Sequence, residues 1–399
     1  MTPGARAAAA IEILDAILAG QAAEPALANW ARGHRFAGSG DRLAIRDLVF
    51  DALRRRRSAA LMGAGPTGRG LILGLLRQRG EAGLFSGEGH APPPPGPHEA
   101  AQIPQGAAAL DVPDWLLPRL QRALGPDCTP VLQAMRHRAP VYLRVNLART
   151  SRDAARAALA AEGILADPEP GSQTALQVTQ NARKIQGSSA YLGGLVELQD
   201  LSSQQLCEAL PLADGMTVLD HCAGGGGKTL AMAALARLTL CAHDAAPQRM
   251  KDLPHRAERA GISVTLTERP ARLAPFDLVL ADVPCSGSGS WRREPMGKWS
   301  LTETRLAELT RTQAQILDTV ASWVAPRGQL AYATCSLLME ENEDQITAFL
   351  ARHPGWVCHL QQRWSPLTGG DGFFLALLTP PCGRHTQPYA VFPIRLSCG

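Results

Sequence analysis

The sequence predicts an α/β protein, with a mostly parallel sheet in its carboxyl-terminal half preceded by an all-helical amino-terminal region. Three observations predict it. Residues 1–85 repeat apolar positions at helical spacing. From about Met216 short apolar runs alternate with helical stretches, the pattern of a sheet covered on both faces. Two of those runs, Ala281-Asp-Val-Pro-Cys-Ser-Gly287 and Ala331-Tyr-Ala-Thr-Cys-Ser336, end abruptly in a cysteine beside small polar residues. That places a thiol at the carboxyl end of each of two buried strands, where open α/β sheets hold their chemistry.

The elements follow in order. Ile11, Leu14, Ile17 and Leu18 predict a helix over 7–18, and Leu43, Ile45, Leu48, Val49 and Leu53 a second over 41–53. The second ends in Arg54-Arg-Arg-Arg57, readable as a solvated basic helix end or as a phosphate contact. Residues 86–106 are a loop around Ala91-Pro-Pro-Pro-Pro-Gly-Pro97, since consecutive prolines exclude helix and inner strand. A short helix is expected over 113–124, with Asp111 or Asp114 near its cap. Residues 140–146 alternate as a strand, and 151–162 form a helix capped by Ser151. Beyond them, strands are predicted over 216–220, 240–244, 263–267, 276–282, 328–334 and 372–378. Helices fall between them over 229–238, 248–260, 302–324 and 341–352. The domain division expected is 1–85, 86–125 as a proline-rich linker with a short helix, 126–205 as a small α+β unit, 206–380 as the sheet domain, and a tail over 381–399.

Composition narrows the class. The 399 residues are 45% hydrophobic and 19% charged, as in soluble globular proteins of more than one domain. No apolar run reaches transmembrane length, and residues 1–17 lack the basic-then-apolar order of a signal peptide. The nine cysteines form no Cys-x-x-Cys pair and no Cys/His cluster of zinc spacing, so no metal is expected and a reducing cytoplasm is. Net charge is +4 but uneven: residues 1–150 hold 18 Arg and no Lys against 12 acids, whereas 151–399 hold 22 bases against 24 acids. A basic amino-terminal half points to a polyanionic partner such as RNA.

Asp220-His-Cys-Ala-Gly-Gly-Gly-Gly-Lys-Thr229 joins the first strand of the sheet domain to its first helix. Glycines there let a ligand approach the backbone and leave helix N–H groups free. The stretch is no P-loop, because Cys222 stands where the first glycine is needed. It is a glycine loop at the head of a Rossmann-like sheet. Asp244 ends the next strand, 24 residues after Asp220, at the usual place of a ribose-hydroxyl ligand. Loop and acid together imply an adenosine-containing ligand.

Asp220–Thr229, Asp282-Val-Pro-Cys-Ser-Gly-Ser-Gly289 and Thr334-Cys-Ser336 together resemble the Fmu/Sun family of RNA cytosine-5 methyltransferases, whose bacterial type is RsmB. Further matches are Leu143-Arg-Val-Asn146, Val196-Glu-Leu-Gln-Asp-Leu-Ser-Ser-Gln204, Arg292-Arg293 with Lys298-Trp299, Glu341-Asn-Glu343 and Asp371-Gly-Phe-Phe374. The resemblance covers about residues 130–380, and residues 1–85 more loosely resemble a NusB-like RNA-binding domain. It implies a Rossmann-like class I methyltransferase domain, S-adenosyl-L-methionine as cofactor, and ribosomal RNA, of the small subunit, as substrate. No membrane partner is expected from the lengths of the apolar runs, the location expected is cytoplasmic, and nothing in the sequence demands more than a monomer.

The resemblance also implies roles. Cys335 adds to carbon 6 of cytosine, and Cys285 serves product release as a base or through a proton relay. DNA cytosine-5 enzymes use the Pro-Cys thiol instead, so the reverse assignment stays open. Asp282 contacts the flipped base, and Lys228 bears on a nearby thiol and on the RNA backbone. The cofactor set is Cys222, Ala223, Gly224, Gly225, Gly226, Gly227, Lys228, Asp244, Arg249, Glu268 and Asp282. Asn146, Gln199 and Asp200 are expected to position fold or substrate. The sequence departs from the family pattern in two places. The loop's proline is replaced by glycine within Ala223–Gly227, which should loosen cofactor binding. The acid after the third strand is missing, with Glu268 as its substitute. These departures keep two other readings open: an RNA-binding ribosome-assembly factor with weakened or lost activity, and a tRNA methyltransferase.

Overall fold

The apolar repeats of the amino-terminal region form helices Pro3–Leu18, Ala23–Gly33, Ser39–Arg54, Arg56–Met62 and Gly68–Arg79 in the computed structural model, which describes residues 1–381. They enclose their own core, with Leu14, Val49, Leu53, Leu71 and Leu75 wholly buried. Thr2 and Thr67 cap the first and last of these helices by accepting the Ala5 and Gly70 N–H groups. The proline-rich loop has no regular structure but is tied to this body: Arg69 pairs with Glu99 at 2.7 Å and donates to the Pro93 carbonyl.

The arginine run is mostly internal. Arg54 is buried and donates to the Arg292 carbonyl. Arg55 reaches the Arg136 carbonyl and Gln78, and Arg57 grips the Val112 carbonyl and both carboxylate oxygens of Asp114. The run fastens the helical body to the rest of the chain, which overturns the phosphate-contact reading for those three side chains. Asp111 does not cap the 113–124 helix but serves the first turn of Arg56–Met62. It is buried and accepts the Ser58 N–H and hydroxyl at 2.8 and 2.9 Å, beside Arg136.

A four-stranded antiparallel sheet follows, built from β1 (Val141–Val145), β2 (Leu165–Pro168), β3 (Ala175–Gln180) and β4 (Val196–Leu198) in the order β2-β3-β1-β4. The helix Arg152–Ala161 covers it, with Ser151 accepting the Ala154 N–H as its cap. The large sheet has seven strands: β5 (Thr217–His221), β6 (Thr239–His243), β7 (Val264–Leu266), β8 (Phe276–Asp282), β9 (Val324–Thr334), β10 (Val357–Trp364) and β11 (Phe373–Thr379). Their order is β10-β11-β9-β8-β5-β6-β7, parallel from β9 to β7 and antiparallel at β11 and β10. Strand order reverses beside β5, which lies between β6 and β8, and such a switch point opens a crevice at the strands' carboxyl ends.

Two expectations need correcting. Residues 248–260 are not one helix: a 3-10 turn at Pro247–Met250 precedes the helix Leu253–Ala260. Pro254 lacks an N–H and fits only a first turn. Strand β10 was not expected at all. Among the described residues no helix is long and apolar enough to cross a membrane. The tail from residue 382 onward lies outside the described residues.

Candidate active site

The glycine loop turns out of β5 at the switch point. Cys222, Gly224 and Gly226 all have left-handed backbones, with φ of 68°, 51° and 77°. A Cβ on Gly226 would lie 2.1 Å from the Leu253 side chain, so only glycine lets the loop pack there. Asp244, buried beyond β6, accepts the Gly224 N–H at 3.0 Å and the Ala246 N–H at 2.9 Å. Arg249 pairs with the same carboxylate at 3.3 Å. Ala223 donates to the His243 carbonyl and closes the turn.

The small sheet grips this loop. Arg144 of β1 donates to the Gly227 carbonyl at 2.8 Å, and Gln199 donates to the same oxygen at 3.2 Å. Arg256 donates to the Gly225 carbonyl and, with Arg259, pairs with the buried Glu197 of β4. Asn146 ties β1 to the carbonyl of Ala260. Asp200 caps the helix Leu201–Glu208 and pairs with Arg293 at 2.7 Å. Sequence reasoning missed the grip of Arg144, Glu197 and Arg256. Its one signal was a charged residue inside the otherwise apolar run of β1, which must find a buried partner.

The two cysteines meet. Asp282 lies opposite Ala333 in the β8–β9 register, and the loops beyond bring Cys285 Sγ to 3.4 Å from Cys335 Sγ. Gly289 donates to the Cys335 carbonyl and accepts from Gly372, so close that a Cβ there would lie 2.0 Å from the Gly372 oxygen. The hydrogen bond with Cys335, burial and the nearby charge of Glu341 push the Cys285 thiol well above its usual pKa. Asn342 clamps the strand end, accepting the Thr334 hydroxyl at 2.6 Å and donating to the Ser336 carbonyl at 2.9 Å.

Lys228, at the start of the helix Gly227–Leu235, pairs with Asp282 at 2.6 Å. Burial works against its charge, but the Asp282 carboxylate outweighs it, with Cys207 and Cys335 adding to the pull, so its pKa rises. Asp220, at the end of β5, accepts the Thr229 hydroxyl through one oxygen. Its other oxygen is buried with no hydrogen-bond partner among the described residues. Burial drives its pKa up to about 7 against the Thr229 bond, with the Asp282 charge adding.

The structure thus gathers Cys222–Gly227, Asp244 and Arg249 at the ends of β5 and β6, joins Lys228 to Asp282 at the end of β8, and brings Cys285 to Cys335 beyond β8 and β9. Glu268 does not join them. It is exposed beyond β7 and makes no hydrogen bond to the loop among the described residues. A loop without side chains, a fixed buried carboxylate at the ribose-ligand position and an orphaned Asp220 oxygen fit an adenosine cofactor with a cationic centre.

Fold and crevice define the class: a Rossmann-like methyltransferase fold carrying a cysteine pair. Comparisons give the family. Residues 207–379 match the 16S rRNA methyltransferase RsmB/F family, and residues 112–185 match the ferredoxin-like domain of the RsmF/B-like methyltransferases. The chain is 35% identical over 283 residues to the ribosomal RNA small subunit methyltransferase B of Photorhabdus laumondii, covering 67% of this chain and 66% of that one. The protein of the same name from Klebsiella pneumoniae is also 35% identical, over 67% of this chain and 65% of its own length. These matches place residues 112–379 among the RsmB/F methyltransferases, and the chain spans just under two thirds of the length of the curated relatives it matches. Its fold matches the crystal structure of PH0851, with a TM-score of 0.74 at 23% identity over 95% of this chain and 99% of that one. It also matches NSun6 from Pyrococcus horikoshii with SFG, with a TM-score of 0.60 at 17% identity over 67% and 98%.

Proposed function

We propose that the protein is an S-adenosylmethionine-dependent RNA cytosine-5 methyltransferase acting on small-subunit ribosomal RNA. The observation that carries this reading is the thiol pair at 3.4 Å beyond the ends of β8 and β9, with the Lys228–Asp282 ion pair joining the glycine loop's helix to β8. The family and the names of its relatives support the substrate class. The basic balance of residues 1–150 supports RNA held by the helical body, read as NusB-like.

S-adenosylmethionine, when bound, supplies an electrophilic methyl group. Asp244 would hold its ribose, Arg249 would flank Asp244, and Cys222–Gly227 would border its chain. The rest is done by this chain's residues. The Cys335 thiolate adds to carbon 6, forming the C6–S bond and moving the C5=C6 pair into the ring as an enamine. Carbon 5 then takes the methyl group. Asp282, fixed by Lys228, accepts from the cytosine amine and orients the ring. Water takes the proton from carbon 5, the C5=C6 bond re-forms, and Cys335 departs as thiolate. Cys285 keeps its proton, so it is no base. It assists release by hydrogen-bonding through its S–H to the departing Cys335 thiolate, with no proton transferred.

The test is nucleoside mass spectrometry of small-subunit rRNA and of tRNA after incubation with protein and S-adenosylmethionine. Wild type should yield 5-methylcytidine in the rRNA, and Cys335→Ala should yield background. Equal yields would remove Cys335 as nucleophile, and product in tRNA alone would move the substrate.

A further inference from the structure

The buried carboxylate of Glu341 is not used by the chemistry above, yet it touches both cysteine loops. We propose that Glu341 is the positioning residue that holds the two thiols in register and, through its charge, keeps Cys285 the proton-bearing partner of Cys335. The inference rests on the reading in which Cys335 attacks and Cys285 donates.

Geometry carries it. Glu341 is wholly buried, just after β9. One oxygen accepts the Ser286 N–H at 2.7 Å and the Gln313 amide at 3.0 Å. The other accepts the Ser286 and Ser336 hydroxyls, both at 2.5 Å. Ser286 follows Cys285 and Ser336 follows Cys335. A single carboxylate therefore bridges the residue after each thiol. Ser288 adds a cross-link, 2.9 Å from the Ser336 hydroxyl and accepting the Leu337 N–H. From the sheet, the Tyr332 hydroxyl donates to the Glu341 carbonyl at 2.6 Å and fixes its backbone.

A neutral side chain would brace two loops at less desolvation cost, because a buried carboxylate must be fully hydrogen-bonded to be tolerated. Both oxygens here are supplied with donors, so the ionised form is the one the site is built for. The hydrogen bond with Cys335 and burial hold the proton on Cys285 first, and the negative charge of Glu341 adds to them. The titratable groups facing Cys285 are Cys335, Glu341 and Tyr332. Of these Glu341 alone is a fixed carboxylate. Loss of the Cys285 proton would set two anions side by side across Ser286, so Cys285 remains a thiol and a donor.

The test uses the full chain without RNA or cofactor. Cys285 and Cys335 are alkylated with iodoacetamide across a pH series, and each is quantified by peptide mass spectrometry. In Glu341→Gln the midpoint for Cys285 should move down by about one pH unit, a tenfold gain in thiolate. With RNA and S-adenosylmethionine, kcat should fall about tenfold while the RNA KM stays within about twofold. Ser286→Ala/Ser336→Ala keeps the charge but loosens the bridge, so it should lower kcat while moving the Cys285 midpoint less than Glu341→Gln does. A Glu341→Gln profile superimposed on wild type would overturn the electrostatic role. Wild-type turnover by the double serine variant would overturn the bridge, and it decides the proposal if Glu341→Gln does not fold. The alkylation arm needs no methyl transfer, so failure of the cytosine reading shows separately, as unchanged activity in Cys335→Ala.

Discussion

Cys285 and Cys335 were legible from sequence because an apolar run ending in a thiol fixes where that thiol must sit. Their 3.4 Å approach was not, since it depends on the β8–β9 register and on Glu341 joining the loops. The same limit hid the stacked pair His221 and His243, whose ring centroids lie 4.6 Å apart at the ends of adjacent strands. Burial, with His243 beside it, lowers His221 to about 4, and burial lowers His243 too. An unfolded histidine titrates near 6.5, so as pH falls below that value the unfolded chain takes protons the folded one refuses. Stability is full above the unfolded value and drops as pH falls to about 4, by about 3 kcal/mol for His221. Asp220 has the opposite sign. Its folded value of about 7 exceeds the ordinary carboxylate value of 3.8, so stability falls as pH rises between them. Over the shared window the two slopes oppose. Asp220→Asn should therefore unmask the histidine slope, with a thermal midpoint lower at pH 5 than at pH 7 and a larger drop than in wild type. A midpoint flat with pH in that variant would contradict the buried histidine pair.

The glycine loop was readable as a ligand turn, and the loss of the family's proline predicted a looser one. The structure supplies a compensation at the level of elements: β1, β4 and the helix Leu253–Ala260 hold the Gly225 and Gly227 carbonyls through Arg256, Arg144 and Gln199. Hydrogen bonds from charged donors are each worth about 1.5–3 kcal/mol, more than the 0.4–1 kcal/mol a glycine adds in unfolded-chain entropy. Arg256→Ala should thus weaken S-adenosylmethionine binding about tenfold by calorimetry, about 1.4 kcal/mol. An unchanged Kd would show that the loop needs no brace. A strand that is a continuous apolar run, such as β8, was found at its true bounds. Strand β10 was missed because Gln361-Gln-Arg363 breaks its apolar pattern. It pairs only with β11 at the sheet's edge, and an edge strand needs no second apolar face.

Across the whole molecule, the helical body is joined to the sheet domain by more than the loop between them. The helix Ser39–Arg54 ends with carbonyls that its own turns cannot satisfy. Trp299 donates to the Leu53 carbonyl at 2.7 Å and Lys298 to the Arg54 carbonyl at 3.1 Å, so the catalytic domain supplies this helix's cap. Burial lowers the Lys298 pKa to about 8, a cost accepted at a helix end whose dipole favours a cation. A helical region ahead of an alternating sheet was legible, but this joint was not, because Lys298 and Trp299 resemble family motif residues and carry no local sign of their partner. Trp299→Phe should leave the Leu53 carbonyl unpaired and lower unfolding free energy by about 1–3 kcal/mol in urea titration. No change in the midpoint would mean that the two bodies are not energetically coupled through this contact.

The central claim is that Cys335 attacks and Cys285 assists release, and peptide mapping of a trapped adduct tests it most directly. Cys285→Ala, incubated with rRNA and S-adenosylmethionine, should accumulate a covalent RNA–protein complex whose nucleotide maps to Cys335, while Cys335→Ala forms none. A nucleotide mapped to Cys285 in the Cys335→Ala protein would contradict the account and reverse the two roles.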